Sequence, residues 1–282
     1  MSSRDFSRGL SRRQALLAGG AALGAVALGG RIGLARDETP GRYGPFKMGV
    51  QSYSLRNFRR DEALAKTKEL GLHYWEAYSG HIPADPTTAA AERTAAAAAG
   101  VEVIGFGVHH FTKDLEANRK VFAFARAMGL GYLSADPDPD AFDVLDKMTE
   151  EYGVAIGIHP HGPGHRWASL DAILAAIKDH SPKIGLCNDT GHILRSGLDP
   201  VEAVAMFGKR TYGVHLKDVK DAKTFTILGE GDLKLDALLQ ALAKIGYKDC
   251  LALEYEENPA NPIPDIKACL DAVAKSVAKL KA

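Results

Sequence analysis

The sequence predicts a single-domain α/β protein of the (β/α)8 TIM-barrel class. Short β-rich runs alternate with longer Ala/Leu/Lys/Glu runs, the pattern of βα units around a parallel sheet. Each β-rich run is apolar or small until its C-terminal end, where a group able to do chemistry appears: Gln51, Glu76, His109, Asp136, His159, Asp189, His215 and Glu254. Their separations of 25, 33, 27, 23, 30, 26 and 39 residues are close to the roughly 30 of one βα unit. Within the later runs, polar and small residues also keep to one face.

The strands are expected at 47–53, 72–77, 101–109, 131–136, 153–159, 183–189, 211–217 and 249–255. Helices are expected at 61–70, 86–99, 114–129, 139–152, 168–180, 199–207, 233–245 and 264–280. An open doubly wound sheet is the alternative. It carries fewer strands and a Gly-rich phosphate turn after the first, and no such turn follows 47–53.

Residues two apart on a strand share a face. Ala155, Gly157, His159 and His161 therefore group against Val154, Ile156 and Ile158. Gly185, Cys187 and Asp189 group in the next run, Gly213, His215 and Lys217 in the one after. Ala252, Glu254 and Glu256 oppose Leu251, Leu253 and Tyr255. The barrel interior is thus expected to be small-residue below and polar at its C-terminal rim, where barrel enzymes keep their active sites.

Ahead of the barrel, Arg4, Arg8 and Arg12-Arg13 precede an uncharged run from Ala15 to Gly30 and then Gly33-Leu34-Ala35, the layout of an export signal. Ser11-Arg12-Arg13-Gln14-Ala15-Leu16-Leu17 resembles the twin-arginine signal. Sixteen Gly- and Ala-rich residues are short for a membrane span of about 20. The expectation is a cleaved signal at 1–35, a linker at 36–45, a barrel at 46–282, no lasting membrane anchor and a periplasmic location.

With 282 residues, 46% hydrophobic and 25% charged, and three cysteines, disordered, fibrous and disulfide-scaffold classes are excluded. The 35 basic residues balance 35 acidic ones. Removing residues 1–35 takes five Arg and one Asp, leaving 30 basic and 34 acidic residues, net −4, on 247 residues. Nucleic acid is an unsuitable partner for such a surface. Cys187, Cys250 and Cys269 lack metal or redox spacing and read as buried thiols, with a Cys250–Cys269 bridge left open. The oligomeric state is open, a homo-oligomer included.

His159, Asp189, His215 and Glu254 form a two-imidazole, two-carboxylate set at consecutive strand ends, suited to one divalent ion such as Mn, Zn, Co or Mg. A single interior His or Asp is ordinarily structural. Four together invert that reading, because uncompensated buried carboxylates are costly and a cation offsets them.

Asn188-Asp189-Thr190-Gly191-His192, Gly213-Val214-His215-Leu216-Lys217-Asp218, Leu228-Gly229-Glu230-Gly231-Asp232 and Leu253-Glu254-Tyr255-Glu256 together resemble the sugar phosphate isomerase/epimerase family of xylose-isomerase-like barrels, over about residues 46–282. The resemblance implies one divalent metal held by acidic and His residues, with Asp189, His215 and Glu254 at three of its positions, and a sugar or keto-sugar substrate. The fourth position departs from the pattern: the family's epimerases carry Glu at the end of strand five, where this chain has Ile158-His159-Pro160-His161. The expected chemistry is proton abstraction next to a carbonyl through an enediolate, in an isomerase or epimerase. A dehydratase or 3-keto-glycoside lyase is the alternative, and an endonuclease IV-like phosphodiesterase or a non-catalytic sugar-binding barrel stands further off.

Glu254 or Glu76 is the expected base. His161 and His192 are expected to bind substrate oxygens or protonate a leaving group, with proton affinities near neutrality. Lys217 either neutralises the enediolate or pairs with a rim carboxylate. Gln51, His109 and Trp167 complete the expected substrate contacts, with Trp167 walling the pocket. Asp136-Pro137-Asp138-Pro139-Asp140 is expected to cap the following helix.

Overall fold

A computed structural model describes residues 41–280. The expected export signal at 1–35 and the first half of the linker lie outside the described residues. The chain runs β1 (Lys47–Gln51), a 3-10 turn, α1 (Arg60–Glu69), β2 (Tyr74–Ala77), α2 (Ala89–Ala98), β3 (Glu102–Phe111), α3 (Leu115–Met128), β4 (Tyr132–Pro137) and α4 (Phe142–Tyr152). It continues with β5 (Ala155–Ile158), α5 (Leu170–Ile177), β6 (Ile184–Asp189), α6 (Thr190–Arg195), α7 (Pro200–Phe207), β7 (Thr211–Leu216), β8 (Asp218–Lys220), β9 (Thr224–Thr226), α8 (Leu235–Lys244), β10 (Cys250–Leu253) and α9 (Ile263–Val277).

Eight strands close into a barrel in the order β1-β10-β7-β6-β5-β4-β3-β2, each pair parallel. The register sets Gln51 level with Glu76 and Asp189 level with His215. The strand-end groups therefore rise to one rim. Among the described residues no helix is long and apolar enough to cross a membrane.

Two apolar populations follow from strand parity. Val50, Trp75, Leu133, Ile156, Leu186, Val214 and Leu251 face outward and merge with the buried faces of the helices. Ile104, Tyr132, Ala155, Cys250 and Ala252 form a small separate cluster inside the barrel. Tyr132 fills that interior because its neighbours are glycines: a Cβ on Gly105 would lie 2.4 Å from its ring, and one on Gly213 3.1 Å from it. All three cysteines are free and buried. Cys250 points into the barrel while the Cys269 thiol, on α9, accepts a hydrogen bond from Leu228 N, so the bridge left open by the sequence does not form.

Helix starts follow capping chemistry. Asp114 accepts from Glu116 N and Ala117 N at the head of α3, and left-handed Gly129 ends that helix. Ser169 caps α5, and Asp199 with Pro200 opens α7. The acidic stretch 136–140 does not cap α4 as expected: Ala141 occupies the N-cap without a side-chain bond. Asp138 instead accepts from His110 and Arg166.

Two elements depart from the expected alternation. Helix α6 follows β6 directly, with Asp189 as its N-cap. Between β7 and α8 the chain forms the β8–β9 hairpin. The Gly-rich stretch 229–232 wraps Asp218 at the hairpin's base: Gly229 N, Gly231 N and Leu233 N donate to its carboxylate at 2.8, 3.2 and 2.9 Å.

Candidate active site and metal centre

The strand ends bring His159, Asp189, His215 and Glu254 together. One ligand atom from each lies within 4.8 Å of the others, and all four residues are buried. His159 Nε2 is 3.0 Å from Asp189 Oδ2. The other oxygen of Asp189, Oδ1, accepts from His192 N at 2.8 Å, so the cap of α6 fixes how this carboxylate meets the cluster.

His215 is held from behind. Its Nε2 lies 2.7 Å from Glu76 Oε1, which leaves Nδ1 facing Glu254 Oε2 at 2.9 Å and Asp189 Oδ2 at 3.5 Å. Neither Nδ1 nor Glu254 Oε2 has a hydrogen-bond partner despite the short approach, and His159 Nδ1 has none either. Two imidazoles and two carboxylates crowded this closely, with His215 Nδ1 left without a hydrogen bond, suit a shared cation between them. A carboxylate behind a ligating imidazole is the usual outer support of a metal-bound histidine. Asp189, Glu254, Glu256 and Glu76 surround the site, and one ammonium, Lys217, stands against them. The residues present therefore fit a divalent cation, with His159 Nε2, Asp189 Oδ2, His215 Nδ1 and Glu254 Oε2 as its ligands.

The charges are strongly mutual. Burial alone would raise Asp189, but Lys217 and the surrounding imidazoles hold it well below the usual carboxylate range. Burial likewise opposes ionisation of Glu254, yet Lys217 and His215 hold it down to about 2. Burial disfavours a charged His215, and the neighbouring Cys187, Glu76 and Glu254 nevertheless raise it well above an ordinary histidine. Lys217 Nζ sits 3.1 Å from both Asp189 Oδ2 and Glu254 Oε2 and reaches Glu256 at 2.5 Å. Of the two roles open to it, carboxylate pairing is the one displayed.

Above the cluster lies a cavity of about 310 Å³. Gln51, His161, His192, Lys217, Glu254 and Glu256 line it, together with Tyr53, Tyr78 and Val108. Tyr53, Tyr78 and Val108 escaped the sequence reading; Tyr53 lies in the 3-10 turn after β1 and Tyr78 just past the end of β2, where strand parity no longer applies. The Gln51 amide donates to Glu76 Oε1 and accepts from Tyr53 N.

Other expected site residues stand elsewhere. Glu76 is fully buried beneath the cavity and accepts from His215, Gln51, Ser134 and Tyr132, which makes it a support of His215 rather than an available base. Trp167 does not wall the cavity: its indole donates to Pro137 O at 3.0 Å and its ring packs on Phe142. His109 leans on Phe111, ring centroids 4.7 Å apart, outside the cavity lining. Burial pushes His161 down to about 3 and His192 down to about 4, so both imidazoles are neutral at neutral pH, not poised near it.

A closed parallel barrel with its polar side chains gathered over the C-terminal rim defines the class of barrel proteins that build their sites there. Within that class, this chain belongs to the xylose isomerase-like TIM barrel family, whose model matches residues 64–273. It is 30% identical over 156 residues to the rhizopine catabolism protein MocC of Rhizobium meliloti, covering 48% of this chain and 47% of that protein. It is 28% identical over 178 residues to the inosose dehydratase of Clostridium botulinum (strain Eklund 17B / Type B), covering 56% and 53%. The chain thus spans about half the length of the curated relatives it matches. The crystal structure of an uncharacterized protein from Parabacteroides distasonis matches it with a TM-score of 0.66 at 27% identity, over 82% of this chain and 99% of that one.

Proposed function

We propose that this protein is a divalent-metal-dependent enzyme that removes a proton next to the carbonyl of a keto-sugar and then expels a β-substituent, as a dehydratase or lyase. The observation that carries the reading is the convergence of four ligand atoms within 4.8 Å at the floor of a cavity. A bound divalent ion supplies Lewis-acid polarisation of a carbonyl and its neighbouring hydroxyl.

The protein's own groups do the rest. Glu254 presents its carboxylate both to the cluster and to the cavity, which places a base beside the acidified C–H. Lys217, anchored by Glu256, supplies fixed positive charge where negative charge develops on the substrate. Neutral His161 and His192 offer hydrogen bonds to substrate hydroxyls. Tyr53 and Tyr78, edge to face at 5.4 Å, present apolar surface to the sugar's C–H face.

Elimination is favoured over epimerisation because both cavity carboxylates, Glu254 and Glu256, come from the β10 side, while the β5 side offers the imidazoles of His159 and His161. Among the described residues lining the cavity, none on the β5 side is a second carboxylate that could deliver a proton to the opposite substrate face. The similarity to an inosose dehydratase agrees with this direction. Isomerisation or epimerisation is the second reading, supported by the residues shared with that family. The N-terminal Arg-Arg and Ala-rich segment supports action in the periplasm after export.

The test is incubation of metal-loaded protein with keto-sugars and 3-keto-glycosides in D2O, followed by NMR. Elimination releases water or an aglycone and leaves an unsaturated sugar, whereas an intact sugar carrying deuterium is the isomerase result. No exchange with any substrate, or unchanged turnover in Glu254→Gln, would overturn the enzyme reading.

A further inference from the structure

We infer that the rim of the barrel carries a second transition-metal site, built from Asp136, His161 and His165, separate from the strand-end cluster. These three offer ligand atoms that also lie within 4.8 Å of one another. They come from two sequence stretches that the first site does not use: the acidic end of β4 and the His161-Gly162-Pro163-Gly164-His165 turn after β5.

The turn is shaped to pair its histidines. Gly162 and Gly164 adopt left-handed conformations, φ 90° and 82°, which side-chain-bearing residues rarely take. The resulting reversal is closed by His165 N donating to Gly162 O at 3.3 Å. It brings the His161 and His165 rings to a centroid separation of 4.4 Å. From β4, Asp136 sets Oδ2 3.7 Å from His165 Nε2, too long for a hydrogen bond. Asp136 Oδ1 and His165 Nδ1 are buried atoms without a partner. Arg166, beside the turn, is drawn off to Asp138 and Pro137 O, so it does not fill the gap. Two imidazoles and one carboxylate with open positions suit Zn(II) or a similar divalent ion. His161 also lines the cavity, and its ring lies 4.6 Å from that of His159. An ion here would therefore face the same cavity as the first.

Equilibrium dialysis against Zn(II), with bound metal counted per chain, tests the site. His165→Ala, on a partly exposed turn, is expected to bind one ion fewer than the wild-type protein, and Co(II) loading of the wild type is expected to show a visible absorption component that the variant lacks. His110→Ala removes another rim imidazole, 3.0 Å from Asp138, and is expected to keep the wild-type count. Equal counts in His165→Ala and wild type, or an equal loss in His110→Ala, would overturn the site. If the strand-end cluster holds no ion, the wild-type count falls to one and the His165→Ala count to none, which separates the two sites.

Discussion

The Nε2 of His215 lies 2.7 Å from Oε1 of Glu76, with both side chains fully shielded from solvent. Glu76 also accepts from Gln51, Ser134 and Tyr132, so the carboxylate is locked and the imidazole takes its orientation from it. That contact decides which nitrogen His215 turns to the cluster. Glu76→Gln places an amide where the acceptor stood and loosens this orientation. The expected outcome is a folded protein whose divalent-metal affinity drops about 10- to 100-fold, read by competition with a chromophoric chelator.

Because Cys187, Glu76 and Glu254 favour the charged form of His215 against the opposing effect of burial, a metal arriving at Nδ1 is expected to displace a proton. Binding is expected to release about one proton per ion at neutral pH and to weaken as pH falls. Calorimetry in two buffers of different ionisation enthalpy measures the release directly. Equal heats in both would contradict it.

Lys217 is the internal counter-charge of Asp189 and Glu254 while no ion is present. Lys217→Met removes the one ammonium that faces both buried carboxylates, a loss of roughly 3 kcal/mol for the metal-free protein. The same change removes a competitor for the ion. The metal-free melting temperature is therefore expected to fall, and the rise on adding Mn(II) to exceed that of the wild type. Thermal scans with and without metal show both.

Strand parity made much of this site readable, since a parallel strand buried on both faces must still place alternate residues inside, and a barrel sends every strand end to one rim. His159, Asp189, His215 and Glu254 followed from that rule alone. Helix α6 did not, because its only start signal is Asp189, a residue already read as a ligand. The saturation of Glu76 was hidden as well: Tyr132 and Ser134 reach it from a strand 56 and 58 residues away, a pairing no local pattern encodes. Trp167 looked like a pocket wall beside a Gly-rich turn, but its indole found a carbonyl in the outer shell.

Asp249, just before β10, is pushed up to about 6 by burial, with Lys47 acting in the opposite direction. An unfolded aspartate ionises near 3.9, so between about pH 4 and 6 the native chain keeps a proton the unfolded chain has lost. Stability contributed by this group is full below that window and is lost as pH rises through it. Asp249→Asn is expected to raise stability above pH 6 by on the order of 1–3 kcal/mol, with little gain at pH 4. Denaturant melts at the two pH values check the difference.

A divalent ion shared by four strand-end side chains is the centre of the proposed chemistry, and anomalous diffraction from crystals soaked in Mn(II) or Zn(II) tests it most directly. A peak about 2.0–2.3 Å from His159 Nε2, Asp189 Oδ2, His215 Nδ1 and Glu254 Oε2, with Lys217 Nζ turned away towards Glu256, is the predicted result. A soaked crystal with no peak there, and Lys217 still bridging Asp189 and Glu254, would contradict it.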